Sequence, residues 1–211
     1  MTDSTLVCAG KPLATARDQI RRYCGLPWSG GEPETWAYEN FDLMPTGPDD
    51  LLGPPDYLAA AVIHPGFASA EMTFFRQDGG NEVCRAWLSV LPRDVDLAEA
   101  DEETLGHLTE LSSLADGRWL SILSKVTHRK RPRLVPLFDG AMVDRYRPIT
   151  RQRGVAAWPS LVRALQADLA TDENRQYFAD LRVELTPELT GPFPSDLRLM
   201  DIAVWMEAHA K

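Results

Sequence analysis

Asp139 is the residue best placed in this chain to do chemistry. It follows an apolar approach, Pro136-Leu137-Phe138, and is followed by Gly140. Aspartate is favoured at helix N-caps, where backbone N–H donors hold its carboxylate ionised. A carboxylate fixed in that way can stabilise developing positive charge and can orient a water for attack. Around it lies an island of cations. Between Arg118 and Arg153 there are ten Lys and Arg residues and only two acids, Asp139 and Asp144. That is a local +8 in a chain of net charge −9, leaving −17 elsewhere. Such asymmetry points to an anion-binding surface, with nucleic acid the first candidate. Asp144 stands five positions beyond Asp139, about 140° around a helix, and reads as a surface partner for an arginine.

The elements that must position these residues are mainly helical. Met142, Val143 and Tyr146 form the inner stripe of a helix that Asp139 would begin. Before it, Leu105, Leu108, Leu111 and Leu114 mark one helix, and Trp119, Ile122, Leu123 and Val126 a second. Only Ala115-Asp116-Gly117-Arg118 joins them. The second helix runs out through His128-Arg129-Lys130-Arg131 to Pro132, where cations complement the helix dipole. Further helices are expected over Ala14 to Cys24, over Asp56 to Ile63, from Trp158 to Leu169 with Pro159 near its start, and from a Ser195 or Asp196 cap through Met206. Residues 25–56 are rich in Gly and Pro and read as a long irregular segment. Phe67 to Leu91 fits strands or helices, with Asp78-Gly79-Gly80-Asn81 as a hairpin turn or a helix break. The first 13 residues read as a flexible tail. Residues 14–211 read as one domain of two packed lobes, with room for a small β hairpin in the N-terminal half.

Composition narrows the class. The chain has 211 residues, 44% of them hydrophobic, enough for a real core. No run of 18 apolar residues suggests a membrane span, and no signal peptide is visible. Cys8, Cys24 and Cys84 are odd in number and without a Cys-x-x-Cys, so neither a disulfide framework, zinc nor an iron–sulfur cluster is expected. His64, His107, His128 and His209 show no ligand spacing. These features fit a cytoplasmic monomer without a metal or other cofactor.

Three features follow one another: a helix pair with the short Leu114-Ala115-Asp116-Gly117-Arg118 connection, a basic exit from Lys125 to Arg133, and Leu134-Val135-Pro136-Leu137-Phe138-Asp139. This order resembles the helix-hairpin-helix superfamily of DNA glycosylases, in which a Leu-Pro-Gly-Val-Gly hairpin precedes a catalytic aspartate. The Arg131-Pro132-Arg133 to Asp139 stretch, and the ending Leu197-Arg198-Leu199-Met200-Asp201-Ile202-Ala203-Val204-Trp205-Met206, are more similar to an uncharacterised bacterial family of glycosylase-like proteins. The resemblance implies a two-lobed, mainly α fold and a DNA N-glycosylase with Asp139 as catalyst. It makes Lys125 a candidate for the Schiff-base amine of bifunctional members, although those carry their lysine nearer the hairpin; a monofunctional enzyme is the better expectation. The superfamily's hairpin glycines let backbone N–H groups meet a DNA phosphate, often with a monovalent cation. Only one glycine is kept here, Asp116 would repel a phosphate, and Arg118 could compensate.

Under that resemblance, Arg118, Arg129, Lys130, Arg131 and Arg133 are candidate contacts to the backbone of double-stranded DNA. The alternative for the Arg129–Arg133 run is pairing with the chain's own acids, such as Asp94, Asp96 and Glu99. A glycosylase stacks its extruded base on aromatic or apolar side chains, and Trp28, Trp36, Tyr38 and Phe41 could supply that wall, as could Trp205. The excised base would be damaged or modified, even a bulky phage-type base, in repair or phage defence. Two other functions fit the same residues. One is a non-catalytic DNA-binding protein on a degenerate glycosylase scaffold. The other is a hydrolase of a nucleotide or small N-glycoside.

Overall fold

The computed structural model describes residues 4–34, 37–47, 50–64, 66–67, 69–77, 79–117 and 119–210. Trp36 and Arg118 lie outside these residues. The chain is mainly helical, as its periodicity indicates, with one small two-stranded sheet among the described residues.

That sheet corrects the expectation of a loose N-terminus. β1 (Leu6–Cys8) and β2 (Lys11–Leu13) pair antiparallel across Ala9-Gly10, which both adopt positive φ, 54° and 69°. A two-residue turn of that geometry matches the twist of the strands it joins. Leu6, Cys8 and Leu13 are buried. The hairpin is docked by Asn174, whose side chain accepts from Val7 N–H (2.8 Å) and donates to Val7 C=O (2.7 Å), so it satisfies a strand edge as another strand would.

The helices follow as α1 (Ala16–Tyr23), α2 (Pro54–Val62), α3 (Ser69–Arg76), α4 (Gly80–Ser89), α5 (Glu102–Glu110), α6 (Leu120–His128), α7 (Gly140–Thr150), α8 (Trp158–Leu169), α9 (Asp172–Leu185) and α10 (Asp196–His209). The stretch that fitted strands or helices is the helix pair α3–α4. Gly79, at φ 78°, makes the break, and a Cβ at Gly80 would sit 2.7 Å from the Phe74 carbonyl. A 3-10 turn, Leu111–Gly117, leads from α5 toward α6.

One continuous buried cluster runs from Leu6 in the hairpin to Met206 in α10. α10 lies against α1 and α7, and α6 lies against α2. Hence the start of α7, the middle of α6 and one face of α10 converge. Phe41, Ala59 and Leu137 form a small separate cluster.

Candidate functional site

At that convergence lies a cleft of about 340 Å³. Its walls are apolar: Val62 and Ile63 at the end of α2, Leu137, and Ile202 and Trp205 of α10. Its polar groups are Tyr23, Lys125, Asp139, Arg198 and Asp201. The α10 members occupy positions 198, 201, 202 and 205, the spacing that puts residues on one face of a helix. Asp139 and Lys125, the two residues singled out for chemistry, are therefore brought together, and Trp205 stands with them.

Asp139 is the N-cap of α7, where its Oδ1 accepts from Met142 N–H at 2.9 Å. The peptide before it is clamped by α6 on both sides. Phe138 N–H donates to Ser124 Oγ (2.9 Å), and Phe138 C=O accepts from Ser121 Oγ (3.1 Å) and from Lys125 Nζ (3.2 Å). Lys125 Nζ also donates to Ser121 Oγ (3.1 Å) and Ser121 C=O (3.3 Å). An ammonium has three donors, and all three are committed. Lys125 is buried, and burial lowers its pKa, while Asp139 and Asp201 pull the other way. With its hydrogens spent, it serves as a fixed cation that anchors the approach to Asp139. The same commitment speaks against the free amine expected of a Schiff-base lysine.

Beside this pair runs a chain of buried charge. Arg198 Nε donates to Asp42 Oδ1 (2.7 Å), its Nη2 to Asp42 Oδ2 (3.1 Å) and to Tyr23 Oη (2.5 Å), and its Nη1 to Asp201 Oδ2. Tyr23 Oη donates onward to Asp42 Oδ2 at 2.9 Å. Burial opposes the Arg198 charge, but Asp42, Tyr23 and Asp201 outweigh it and keep the guanidinium protonated. Burial pushes the Asp201 carboxyl up to about 7 despite Arg198, and Asp139 adds to the rise. Asp201 Oδ1 is buried with no hydrogen-bond partner among the described residues. Buried polar atoms are rarely left so. Tyr23, Asp42, Arg198, Asp201, Ser121 and Ser124 all go beyond the site residues drawn from the sequence. The signal available for two of them was Arg198 and Asp201 standing three apart on a helix that is otherwise apolar around them.

Three members of the basic run are turned into the protein. Arg129, Lys130 and Arg131 have side chains 3%, 2% and 1% exposed. Arg129 donates to the carbonyls of Phe41, Met44 (2.5 Å) and Pro45 (3.2 Å), and its Nε lies 3.5 Å from Asp56 Oδ1. Lys130 Nζ lies 2.9 Å from Asp56 Oδ2 and donates to Gly47 C=O at 3.1 Å. Arg131 lies 2.7 Å from Asp50 Oδ1 and donates to Leu88 C=O (2.8 Å) and Leu91 C=O (3.3 Å). These cations supply donors to carbonyls of the irregular segment and of the end of α4, where Leu88 C=O also accepts from Leu91 N–H at 3.2 Å. Arg133 is half-exposed and paired with Asp96, its Nε 2.6 Å from Oδ1. Pairing with the chain's own acids therefore prevails, with Asp50 and Asp56 the partners unforeseen. Of the island, Arg147 stays exposed beside Asp144 (3.5 Å), and Arg151 and Arg153 are exposed. Asp144 is the surface partner its spacing indicates.

The expected aromatic wall also moves. Tyr38 is buried edge-on to Tyr23, with centroids 6.4 Å apart. Phe41 is 1% exposed, stacked on His128 at 6.0 Å, with the Arg198 guanidinium 4.9 Å from its ring. Trp28 lies under the Arg22 guanidinium (5.2 Å) on its own loop. None of the three lines the cleft: Tyr38 and Phe41 are buried in the interior, and Trp28 is half-buried on its loop. Phe41 supports the site from behind, through Arg198 and His128.

Among the described residues, no cluster of three or more His, Cys, Asp or Glu forms a metal site, and no helix is long and apolar enough to cross a membrane. A model of a protein family of unknown function, DUF6308, matches residues 16–208, so the chain belongs to that family. No curated protein and no solved structure matches it.

Proposed function

We propose that this DUF6308 protein hydrolyses the N-glycosidic bond of a nucleobase. The observation that carries the proposal is the convergence of Asp139, held by a helix N-terminus and by the Lys125–Ser121–Ser124 clamp, with an apolar, Trp205-walled cleft of about 340 Å³. That volume suits a small-molecule site. A base can lie against Trp205 and Ile202 while its sugar meets Asp139. As the bond breaks, the anomeric carbon gains positive charge. Asp139 stabilises it and takes the proton of the attacking water. Lys125 keeps the carboxylate in place and balances its charge, so the lysine positions and does not form a covalent intermediate.

Burial of Arg129, Lys130 and Arg131 removes the main support for a phosphate track, so the favoured substrate is a free nucleoside or nucleotide. Base excision from duplex DNA is the second reading, favoured by the order of helix pair, lysine and aspartate. Both are tested by mass spectrometry of released base, with a nucleoside panel and duplexes carrying modified bases. Asp139→Asn keeps the cap, because Asn caps as well as Asp. It should lower release at least about 100-fold, the lower end for loss of a positioned acid–base group. Wild-type activity in a folded variant would remove Asp139 from the chemistry.

A further inference from the structure

Two carboxyls face this cleft in different surroundings, and a leaving base has its own requirement. A neutral nucleobase departs as a poor anion unless it gains a proton. We infer that Asp201 is the acid that supplies that proton, and that the site is built for neutral bases. The inference rests on the N-glycosidase reading above.

The geometry is specific. Asp201 lines the cleft from α10, three residues from Arg198 and four from Trp205. Its Oδ2 is held by Arg198, which fixes the side chain, and its buried Oδ1 has no partner within the described protein. An unpaired buried carboxyl oxygen is a cost that a ligand at the wall can remove. The charges that face Asp201 are Arg198 on its own helix, Asp139 at the start of α7, Lys125 on α6, Asp42 of the irregular segment, and the Tyr23 hydroxyl of α1. Two cations thus stand among three carboxyls. Asp42 takes two of the Arg198 N–H groups and Lys125 stands by Asp139. Asp201 is left with one, and burial pushes its carboxyl up to about 7. Asp139 accepts a backbone N–H at the start of a helix, whereas Asp201 keeps a buried, unpartnered oxygen, and such a difference in surroundings divides base from acid.

The step balances. The water oxygen bonds to the anomeric carbon and its proton passes to Asp139. The C–N bond breaks with its electron pair going to the base, and the Asp201 proton goes to a base nitrogen. Solvent then returns a proton to Asp201 and removes one from Asp139.

The contrast between a neutral and a cationic leaving group tests this, using inosine and 7-methylguanosine, or the same bases in duplex DNA if only the duplex is cleaved. An N7-methylated base already carries its charge and needs no acid. Asp201→Asn, which keeps an oxygen for Arg198, should slow release of hypoxanthine by about 100-fold or more and release of 7-methylguanine by less than a few-fold. For wild type the inosine rate should fall as pH rises through about 7, and this limb should be absent with 7-methylguanosine. Asp139→Asn should abolish both reactions. Equal losses on both substrates in Asp201→Asn, or no loss on either, would overturn the acid role while leaving the N-glycosidase reading intact. If the Asp201 variant fails to fold, the wild-type pH contrast decides alone: matching profiles for the two substrates overturn the role. No release of either base by the wild type overturns both readings.

Discussion

Replacing Arg131 by Gln should destabilise the fold rather than unbind a ligand. The guanidinium is 1% exposed, sits 2.7 Å from Asp50 Oδ1, and donates to the carbonyls of Leu88 and Leu91. Gln is too short to reach all three. Its introduction removes one of the two cations paired with the largely buried Asp50 carboxylate, Arg93 staying 3.0 Å from Oδ2, so the cost lies at the lower end of the about 3–5 kcal/mol for breaking a buried pair. The Leu91 carbonyl loses this donor within that same cost, while Leu88 C=O keeps the Leu91 N–H, so about 3 kcal/mol is expected. For a chain of this size that lowers Tm by about 10 °C. Arg133→Gln is the control, since that arginine is half-exposed and its pairing with Asp96 is worth no more than about 1 kcal/mol. Urea unfolding of both variants, followed by circular dichroism, measures the difference. The assignment of the basic run to the interior is refuted if Arg131→Gln stays within about 1 kcal/mol of wild type and instead flattens the salt dependence of DNA binding, as loss of a phosphate contact would.

The basic run shows why some of this molecule was legible in the sequence and some was not. Helix positions follow from periods and caps that are local. Asp139 and Ser195 cap as their sequence neighbourhoods indicate, accepting from Met142 N–H and Arg198 N–H. α9 carries the same kind of signal, with a Thr171 cap and Tyr177, Phe178, Leu181 and Leu185 inward, although it adds to the helices set out from the sequence. Charge is different, because a cation's role depends on what the rest of the chain brings to it. Arg129 to Arg131 find Asp50 and Asp56 more than seventy residues away, together with carbonyls of a Gly- and Pro-rich segment that cannot pair them internally. The hairpin at residues 6–13 is hidden for the same reason: three-residue strands are too short to show alternation, and they hold only because Asn174 and the core receive them. In the site, Asp139 was legible because its cap is local. Arg198 and Asp201 were less so, since their partners Asp42, Tyr23 and Lys125 come from three other segments.

The clamp on Asp139 gives a sharp test. Ser124→Ala removes the acceptor of Phe138 N–H in a buried place, which should cost about 1–3 kcal/mol, and hydrogen exchange at the Phe138 amide should quicken; unchanged protection there would show that the clamp does not hold. His128 gives the second. Its ring is fully buried behind Phe41, and Nδ1–H donates to Val135 C=O at 2.6 Å. Burial lowers its pKa to about 4, and Arg198 adds to the fall. A folded value below the unfolded one means the imidazole contributes its full stability above about pH 6.5 and loses it as pH falls toward 4. At about 1.4 kcal/mol for each pH unit between the two values, the loss approaches 3 kcal/mol. Asp201 works in the opposite direction. Its folded value is raised, so its contribution is present at low pH and fades as pH rises through about 7. The two effects partly mask each other in wild type, and the variant separates them. Urea unfolding of wild type and His128→Asn at pH 7 and pH 4 should show wild type losing about 3 kcal/mol more on acidification than the variant. If both lose the same amount, the buried neutral imidazole is not what acid attacks in this fold.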